Sequence, residues 1–208
     1  MDRLILRPAR PEDADAAVPL ILSAGPAAFA YIFTAGDREA ADFLRFAFLQ
    51  GDGEMGYRNH LVGTLEGEVV AAGALLSGDT TLAFTVAAVK QILRFYGLIA
   101  GLGVIRRGLA TETVIRPPGR GEHCLVHLGV APGLRGQGIG RRLIGELLAM
   151  ARAKGARIAS LDVAATNPLA EKLYLSLGFE PIRERRSRLS NRHGAVADHL
   201  RMSLMLIP

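Results

Sequence analysis

The chain has 208 residues, of which 50% are hydrophobic and 22% charged, with a formal net charge of +5 at pH 7. That balance excludes a disordered polymer and fits one α/β domain with a sizeable core, spanning residues 1–208. The single cysteine, Cys124, excludes an internal disulfide and points to a reducing, cytoplasmic setting, while the diffuse positive charge favours an anionic ligand without arguing for nucleic acid.

Residues 4–6 read as a short strand with charges on both sides, too short for the apolar core of a secretory leader. A turn through Pro8 and Pro11 then leads, past Glu12 and Asp13, into a helix over residues 14–23 that Gly25-Pro26 is expected to stop. A second helix is predicted over 37–50, with Phe43, Phe46 and Ala47 on one face. Residues 60–65 and 69–75 are apolar runs separated by Glu66-Gly67-Glu68, the pattern of a hairpin. Residues 80–111 read as largely helical, loosened by Gly97, Gly101 and Gly103, and Pro117-Pro118-Gly119 breaks them off. Lys90 and Arg94 interrupt this stretch, and its longest charge-free run, 95–105, falls short of the about 18 residues a spanning helix needs, so no membrane span is expected. Downstream, strands at 123–130, 157–163, 179–183 and 199–206 alternate with helices at 138–154 and 168–177. The alternation implies layered α/β architecture, and the early hairpin and the terminal strand pair imply a mixed sheet.

The most informative stretch is Val130-Ala131-Pro132-Gly133-Leu134-Arg135-Gly136-Gln137-Gly138-Ile139-Gly140-Arg141-Arg142. It follows an apolar strand and opens a helix. Glycines at 136, 138 and 140 leave backbone N–H groups uncovered, and the helix adds its positive dipole end, so the turn suits a pyrophosphate. A dinucleotide fingerprint would need glycine where Arg141 stands, and no Gly-Lys-Ser or Gly-Lys-Thr of a Walker loop is present.

Arg135-Gly136-Gln137-Gly138-Ile139-Gly140 resembles the Gln/Arg-x-x-Gly-x-Gly/Ala signature of the GNAT N-acetyltransferases. The preceding Leu128-Gly129-Val130 looks like that family's bulged fourth strand. A second segment, Asn167-Pro168-Leu169-Ala170-Glu171-Lys172-Leu173-Tyr174-Leu175-Ser176-Leu177-Gly178-Phe179, is similar to the family's Asn-x-x-Ala-x-x-Leu-Tyr-x-x-x-Gly-Phe helix. On its residues alone that segment is a punctuated helix, capped by Asn167, started by Pro168 and ended by Gly178. The resemblance implies a GNAT fold, a mixed and mostly antiparallel sheet flanked by helices, with residues 80–121 as a helical insert before the fourth strand. It further implies acetyl-CoA as co-substrate, bound by the backbone of Leu128, Gly129 and Val130, by Arg135, Gly136, Gln137, Gly138, Ile139, Gly140 and Arg141, and beside Asn167. Tyr174 would protonate the departing thiolate, or else only pack.

An acceptor amine with a pKa of about 10.4 is neutral in roughly one molecule in 2,500 at pH 7, so a base or a selective pocket is needed. Strand alternation sets Glu122, Cys124 and Val126 on one face of the fourth strand and His123 and His127 on the other. Glu122 is the first candidate base, His127 the second, and a solvated Glu122 stays open. No metal-ligand spacing occurs in the sequence, and direct attack needs none. Residues 183–193 form a basic loop, solvated or bound to an acidic partner, and its arginines lack the interleaved aromatics of a single-strand nucleic-acid binder. The function expected is acetyl transfer to the primary amine of a small molecule or peptide. A non-catalytic acyl-CoA sensor of the same shape and a longer acyl group remain open. Within the insert, Leu82, Val86, Val89, Leu93 and Tyr96 are expected to form one apolar face, which would wall the acceptor cleft or meet the core or a second subunit in a homodimer.

Overall fold

The computed structural model describes residues 4–206. Seven strands form one sheet in the order β1 (Ile5–Pro8), β2 (His60–Leu65), β3 (Glu68–Ser77), β4 (Glu122–Val130), β5 (Ile158–Ala164), β9 (His199–Met205) and β6 (Glu180–Arg185). Every pairing is antiparallel except β4 with β5. Two short strands, β7 (Ser190–Asn191) and β8 (Gly194–Ala195), make a separate hairpin inside the arginine-rich loop. That hairpin is docked, because Asn191 Nδ2–H donates to Tyr31 O at 3.0 Å.

Helices α1 (Ala14–Ser23), α2 (Pro26–Phe33) and α3 (Ala40–Gln50) cover one face of the sheet, and α5 (Ile139–Ala153) and α6 (Pro168–Ser176) the other. The first core is built on Ile21, Phe33, Phe43 and Phe48, the second on Leu143, Leu147, Phe179 and Met202. The approach to α1 is fixed by charge. Arg7 donates to both carboxylate oxygens of Asp13 at 2.7 Å, and Asp13 also accepts the Arg10 amide, so the buried carboxylate is fully engaged.

The first helix ends at Ser23, before Gly25-Pro26, as expected, but Pro26 then opens a further helix, α2, that the sequence reading lacked, because the first helical position tolerates its missing N–H and fixed φ. One expectation needs correcting. The helix predicted over 37–50 starts at Ala40, after a turn in which Ala35 and Arg38 exchange backbone hydrogen bonds.

The insert, α4 (Thr81–Thr111), is broken at Gly97, whose φ of 75° and ψ of 179° lie outside the helical range. The arms 81–96 and 98–111 fold back on each other, so that a Cβ on Gly101 would lie 3.1 Å from Leu93 Cδ2. By length and composition, residues 78–111 are apolar enough to cross a membrane. The expected apolar face is not the inward one. Leu82 is 78% exposed and Val86 46%, whereas Ile92 and Val104 are buried. The arms are apolar on nearly every side, so periodicity had no polar face to measure against.

Beyond the insert, β4 carries a bulge. Ala74 pairs with Val126 and Ala72 with Gly129, so His127 and Leu128 together oppose Gly73. His127 takes the left-handed φ of 57° at this point. Two residues on, Gly129 lies so close to α1 that a Cβ there would sit 2.1 Å from Leu20 O. Gly129→Ala should therefore destabilise the chain by about 1–3 kcal/mol as α1 is forced off the strand, read as a lower urea midpoint with an unchanged slope.

Candidate active site

β4 and β5 pair only over Glu122–Ile158, His123–Ala159 and Cys124–Ser160. Beyond that they diverge, and each continues separately to Val130 and Ala164. On the open edge of β4 the backbone is uncommitted. Ala131 N–H donates to Val70 O on the β3 side at 2.9 Å, and antiparallel alternation turns the N–H of Val130 the other way, into the split. By the same alternation Gly129 faces β3 and Leu128 faces the split.

The glycine turn lies at the mouth of this split. A single helical turn, Pro132–Leu134, follows β4, and Arg135 Nε–H reaches back to Val130 O at 3.0 Å. Gly136 and Gly138 hold φ of 77° and 81°, the left-handed region that favours glycine. A Cβ on Gly136 would meet nothing within 4 Å, so an approaching group finds open backbone. The first backbone bond of α5 runs from Arg142 N–H to Gly138 O, which leaves the amides of Ile139, Gly140 and Arg141 without intrahelical acceptors. Gln137 Nε2–H closes on Gly133 O, and Arg141 donates to Ser176 Oγ at 2.7 Å, tying the turn to α6. Gly140 lets α5 pack closely, its missing Cβ lying 3.7 Å from both Leu173 and Val130 side chains. These are the features of an anion cradle: open backbone, a helix N-terminus and flanking arginines.

Asn167 caps α6, its side-chain oxygen accepting the Ala170 amide at 3.2 Å. Tyr174 on the same helix is 9% exposed and meets Phe179 edge-on at 6.1 Å. Burial pushes its phenol up to about 12, so it is protonated at neutral pH. Its hydroxyl has no hydrogen-bond partner among the described residues.

On the opposite face of the sheet, between α1–α2 and the two arms of α4, lies a cavity of about 320 Å³. Its floor includes Cys124, Val126 and His127 of β4 and Asp162 of β5, the strands that form the split. His127 therefore shares a face with Cys124 and Val126, contrary to simple alternation, because the bulge rotates it.

His127 belongs to a hydrogen-bonded group that the sequence did not single out. His60 Nδ1 lies 2.9 Å from Gly56 O, and His60 Nε2 lies 3.1 Å from His127 Nδ1. A carbonyl only accepts, so His60 carries its proton on Nδ1 and accepts on Nε2, which obliges His127 Nδ1 to donate. The lone pair of neutral His127 is thereby fixed on Nε2, 3.5 Å from Glu54 Oε1. The two imidazoles stack at 5.2 Å between Phe29 and Phe48. No spacing relation links residues 54, 60 and 127, and only the β2–β3–β4 register brings them together.

Glu122 is differently employed. Arg201 Nη2–H donates to it at 2.6 Å and the Gly119 amide at 2.8 Å. Burial would raise its pKa, but Ser160, the Gly119 amide and Arg201 outweigh burial and hold the carboxyl below its ordinary value. It is absent from the cavity lining. The expectation that Glu122 faces the acceptor is thus not met, because its partners turn it toward β9. Arg201 also donates to Asp162 at 2.5 Å, so one buried guanidinium joins β4, β5 and β9 where the split begins. Among the described residues no group of three His, Cys, Asp or Glu side chains is arranged to hold a metal.

Burial, then the charge of His127, pushes His60 down from 6.5 to about 3. The unfolded chain therefore takes up a proton below about pH 6.5 that the native chain refuses, and stability falls as pH drops through that point. Between pH 7.5 and 5.5 the natural chain should lose roughly 1.4 kcal/mol more than His60→Asn, measured by urea unfolding at both pH values.

Comparison with known proteins agrees with this architecture. The sequence profile of the acetyltransferase (GNAT) family matches residues 32–179, well over half of the chain. A [ribosomal protein bS18]-alanine N-acetyltransferase of Haemophilus ducreyi is 32% identical over 85 residues, 41% of this chain and 59% of that protein. The chain thus spans less than two thirds of that relative. Among solved structures, an N-acetyltransferase from Staphylococcus aureus Mu50 superposes with a TM-score of 0.71 at 19% identity, covering 96% of this chain and 100% of that one. The yncA protein of Salmonella typhimurium, solved with its cofactor acetyl-CoA, gives a TM-score of 0.59 at 18% identity over 99% and 95% of the two chains.

Proposed function

Because the chain belongs to the acetyltransferase (GNAT) family, we propose that it is a single-domain N-acetyltransferase that moves the acetyl group of acetyl-CoA to a primary amine by direct attack. The observation that carries this reading is the open glycine turn at the mouth of the β4–β5 split, with the outward-facing amide of Val130 behind it. Pyrophosphate would rest on the amides from Gly136 to Arg141, with Arg135 and Arg141 adding charge. The backbone of Leu128 and Val130 would hold the pantetheine arm along the free edge of β4, beside Gly129. Gln137 and Ile139 complete the turn, and Asn167 fixes the helix that carries Tyr174. The lone buried Cys124 suits the reducing cytoplasm.

His127, and not Glu122, is the base in this proposal. The amine nitrogen attacks the thioester carbon, and His127 Nε2 takes the proton that the nitrogen sheds. The Val130 amide stabilises the developing oxyanion. As the carbon–sulfur bond breaks, Tyr174 gives its proton to sulfur, and the two side chains then exchange one proton with solvent to reset. Glu54 stabilises the imidazolium while it lasts.

Two sets of variants test this. Gly138→Asp should abolish acetyl-CoA binding in calorimetry while Gly138→Asn, equally tolerant of left-handed φ, stays folded and loses less; undiminished binding by the aspartate variant would remove the pyrophosphate site. His127→Gln and Tyr174→Phe should each lower kcat by 10²–10⁴-fold with acetyl-CoA affinity nearly unchanged. Glu122→Gln should lower stability by about 1–3 kcal/mol, because buried Arg201 loses one of its two nearest carboxylates, and should spare kcat in the folded fraction. A Glu122→Gln enzyme that folds and does not turn over would return the base to Glu122.

A further inference from the structure

The cavity has a composition that narrows the acceptor. Its walls are Phe29 and Ile32 of α2 on one side and Phe84, Ala88, Val89 and Leu109 of the two α4 arms on the other. The charged side chains among its lining are Glu54, Glu112, Asp162 and Arg116. Asp162 is already taken by Arg201, while Arg116 and Glu112 are both exposed and Glu54 is half-buried. That leaves Glu54 and Glu112, which have no lysine or arginine partner among the described residues. They feel each other: burial and then Glu54 push Glu112 above its ordinary carboxylate value. A greasy chamber of about 320 Å³ with two carboxylates and a histidine at one end is matched by an ammonium on an apolar body.

We infer that the acceptor is a small amine carrying an aliphatic or aromatic body, held in the chamber roofed by the α4 hairpin, with its nitrogen between Glu54, Glu112 and His127. This rests on the transfer reading above and specifies its second substrate. The chemistry is coherent. Glu54 and Glu112 attract the cation, one of these carboxylates takes the ammonium's extra proton, and the neutral amine that results can attack. The floor of the chamber is the split itself, so the nitrogen meets the thioester without leaving the cavity. A folded protein's N-terminus, the acceptor class named for the Haemophilus relative, would have to pass under the hairpin.

The test is an acceptor series given to the full-length chain: n-butylamine to n-octylamine, phenethylamine, spermidine, and a peptide with N-terminal alanine. Thiol release from acetyl-CoA gives kcat and KM, and calorimetry gives binding of each amine by itself. KM should fall about fourfold for each added methylene until the chamber is full, the ratio that 0.8 kcal/mol per buried CH₂ corresponds to. Ala88→Leu should move the optimum to a shorter chain, Phe84→Ala to a longer one, and Glu112→Gln should raise the amine KM while leaving that of acetyl-CoA alone. Thiol release that ignores chain length, or that prefers the peptide or spermidine, overturns the acceptor class and leaves the transferase reading standing. Length-dependent binding of alkylamines with no thiol release from any acceptor sinks the transferase reading and keeps the chamber. Neither binding nor release with the apolar amines overturns the inference outright.

Discussion

The buried guanidinium of Arg201 is the constraint on which the working half of the molecule depends. A charge that is 7% exposed must be paired, and Arg201 meets Glu122 from β4, Asp162 from β5 and the carbonyl of Arg116 at the end of the insert. Three elements distant in sequence are thereby pinned at one point. That point is also where the β4–β5 ladder ends, immediately after Cys124–Ser160. The network therefore sets how far the two strands run together and where they part. Arg185 adds a second cation 3.7 Å from Asp162, drawing in β6 as well. Replacing such a network by apolar residues would be energetically acceptable, so its value here lies in fixing geometry more than in adding stability.

Downstream of that pin, the extra residue in β4 does two jobs. It rotates His127 onto the cavity face, and it brings Gly129 under the last turn of α1, where only a hydrogen fits against Leu20 O. The tight α1 contact holds the strand edge, and the edge presents Val130's amide to the split. His127 is in turn aimed by His60, which is aimed by the Gly56 carbonyl. Two imidazoles in series, with the proton of His60 placed by one backbone oxygen, define which nitrogen faces the cavity. A single histidine in the same place would be free to present either nitrogen, so part of the preorganisation lies in a residue that touches no substrate.

How much of this the amino-acid order disclosed depended on range. The glycine turn and the Asn167–Phe179 helix were legible because their signals are local: positive-φ glycines, a cap, a proline at the first turn, all within a dozen residues. The mixed character of the sheet was legible in outline from the early hairpin and the terminal pair of strands. Three features were not. The helix that Pro26 opens is absent from the sequence reading, since the Gly25-Pro26 pair that ends α1 also starts α2. The inward face of α4 was misassigned because Leu98, Ile99 and Leu102 make the outside as apolar as the inside, and Gly97 hides a reversal that no periodicity reveals. The Glu54–His127–His60 group depends on strand register, and the bulge in β4 inverts the alternation for His127, while Glu122 keeps the face of Cys124, both meeting Arg201. Glu122 looked like a base for its position, yet a carboxylate beside an unseen arginine is a poor one.

The two halves of the site are built differently, and that difference has consequences. The half proposed to hold acetyl-CoA is made of backbone: a strand edge, a turn and a helix N-terminus, which almost any side chains can supply provided glycine stands at a few points. The half proposed to hold the acceptor is made of side chains borrowed from α2, from the loop bearing Glu54 and above all from the α4 hairpin. Because β3 and β4 are adjacent strands, the hairpin between them enters and leaves the sheet at one place, and its length can change without altering the split or the turn. Phe95 and Tyr96, near the tip of the first arm, pack on Phe43, and Arg107 of the second arm donates to the Ile32 carbonyl, so the hairpin is anchored to the same helices that form the opposite wall. A chamber made this way has a floor on the strands of the split, where the proposed bond would form, and a roof on the hairpin, against which the body of the proposed acceptor would rest. Substitutions in the roof should thus act on which amine is accepted, and substitutions in the floor on whether transfer happens at all.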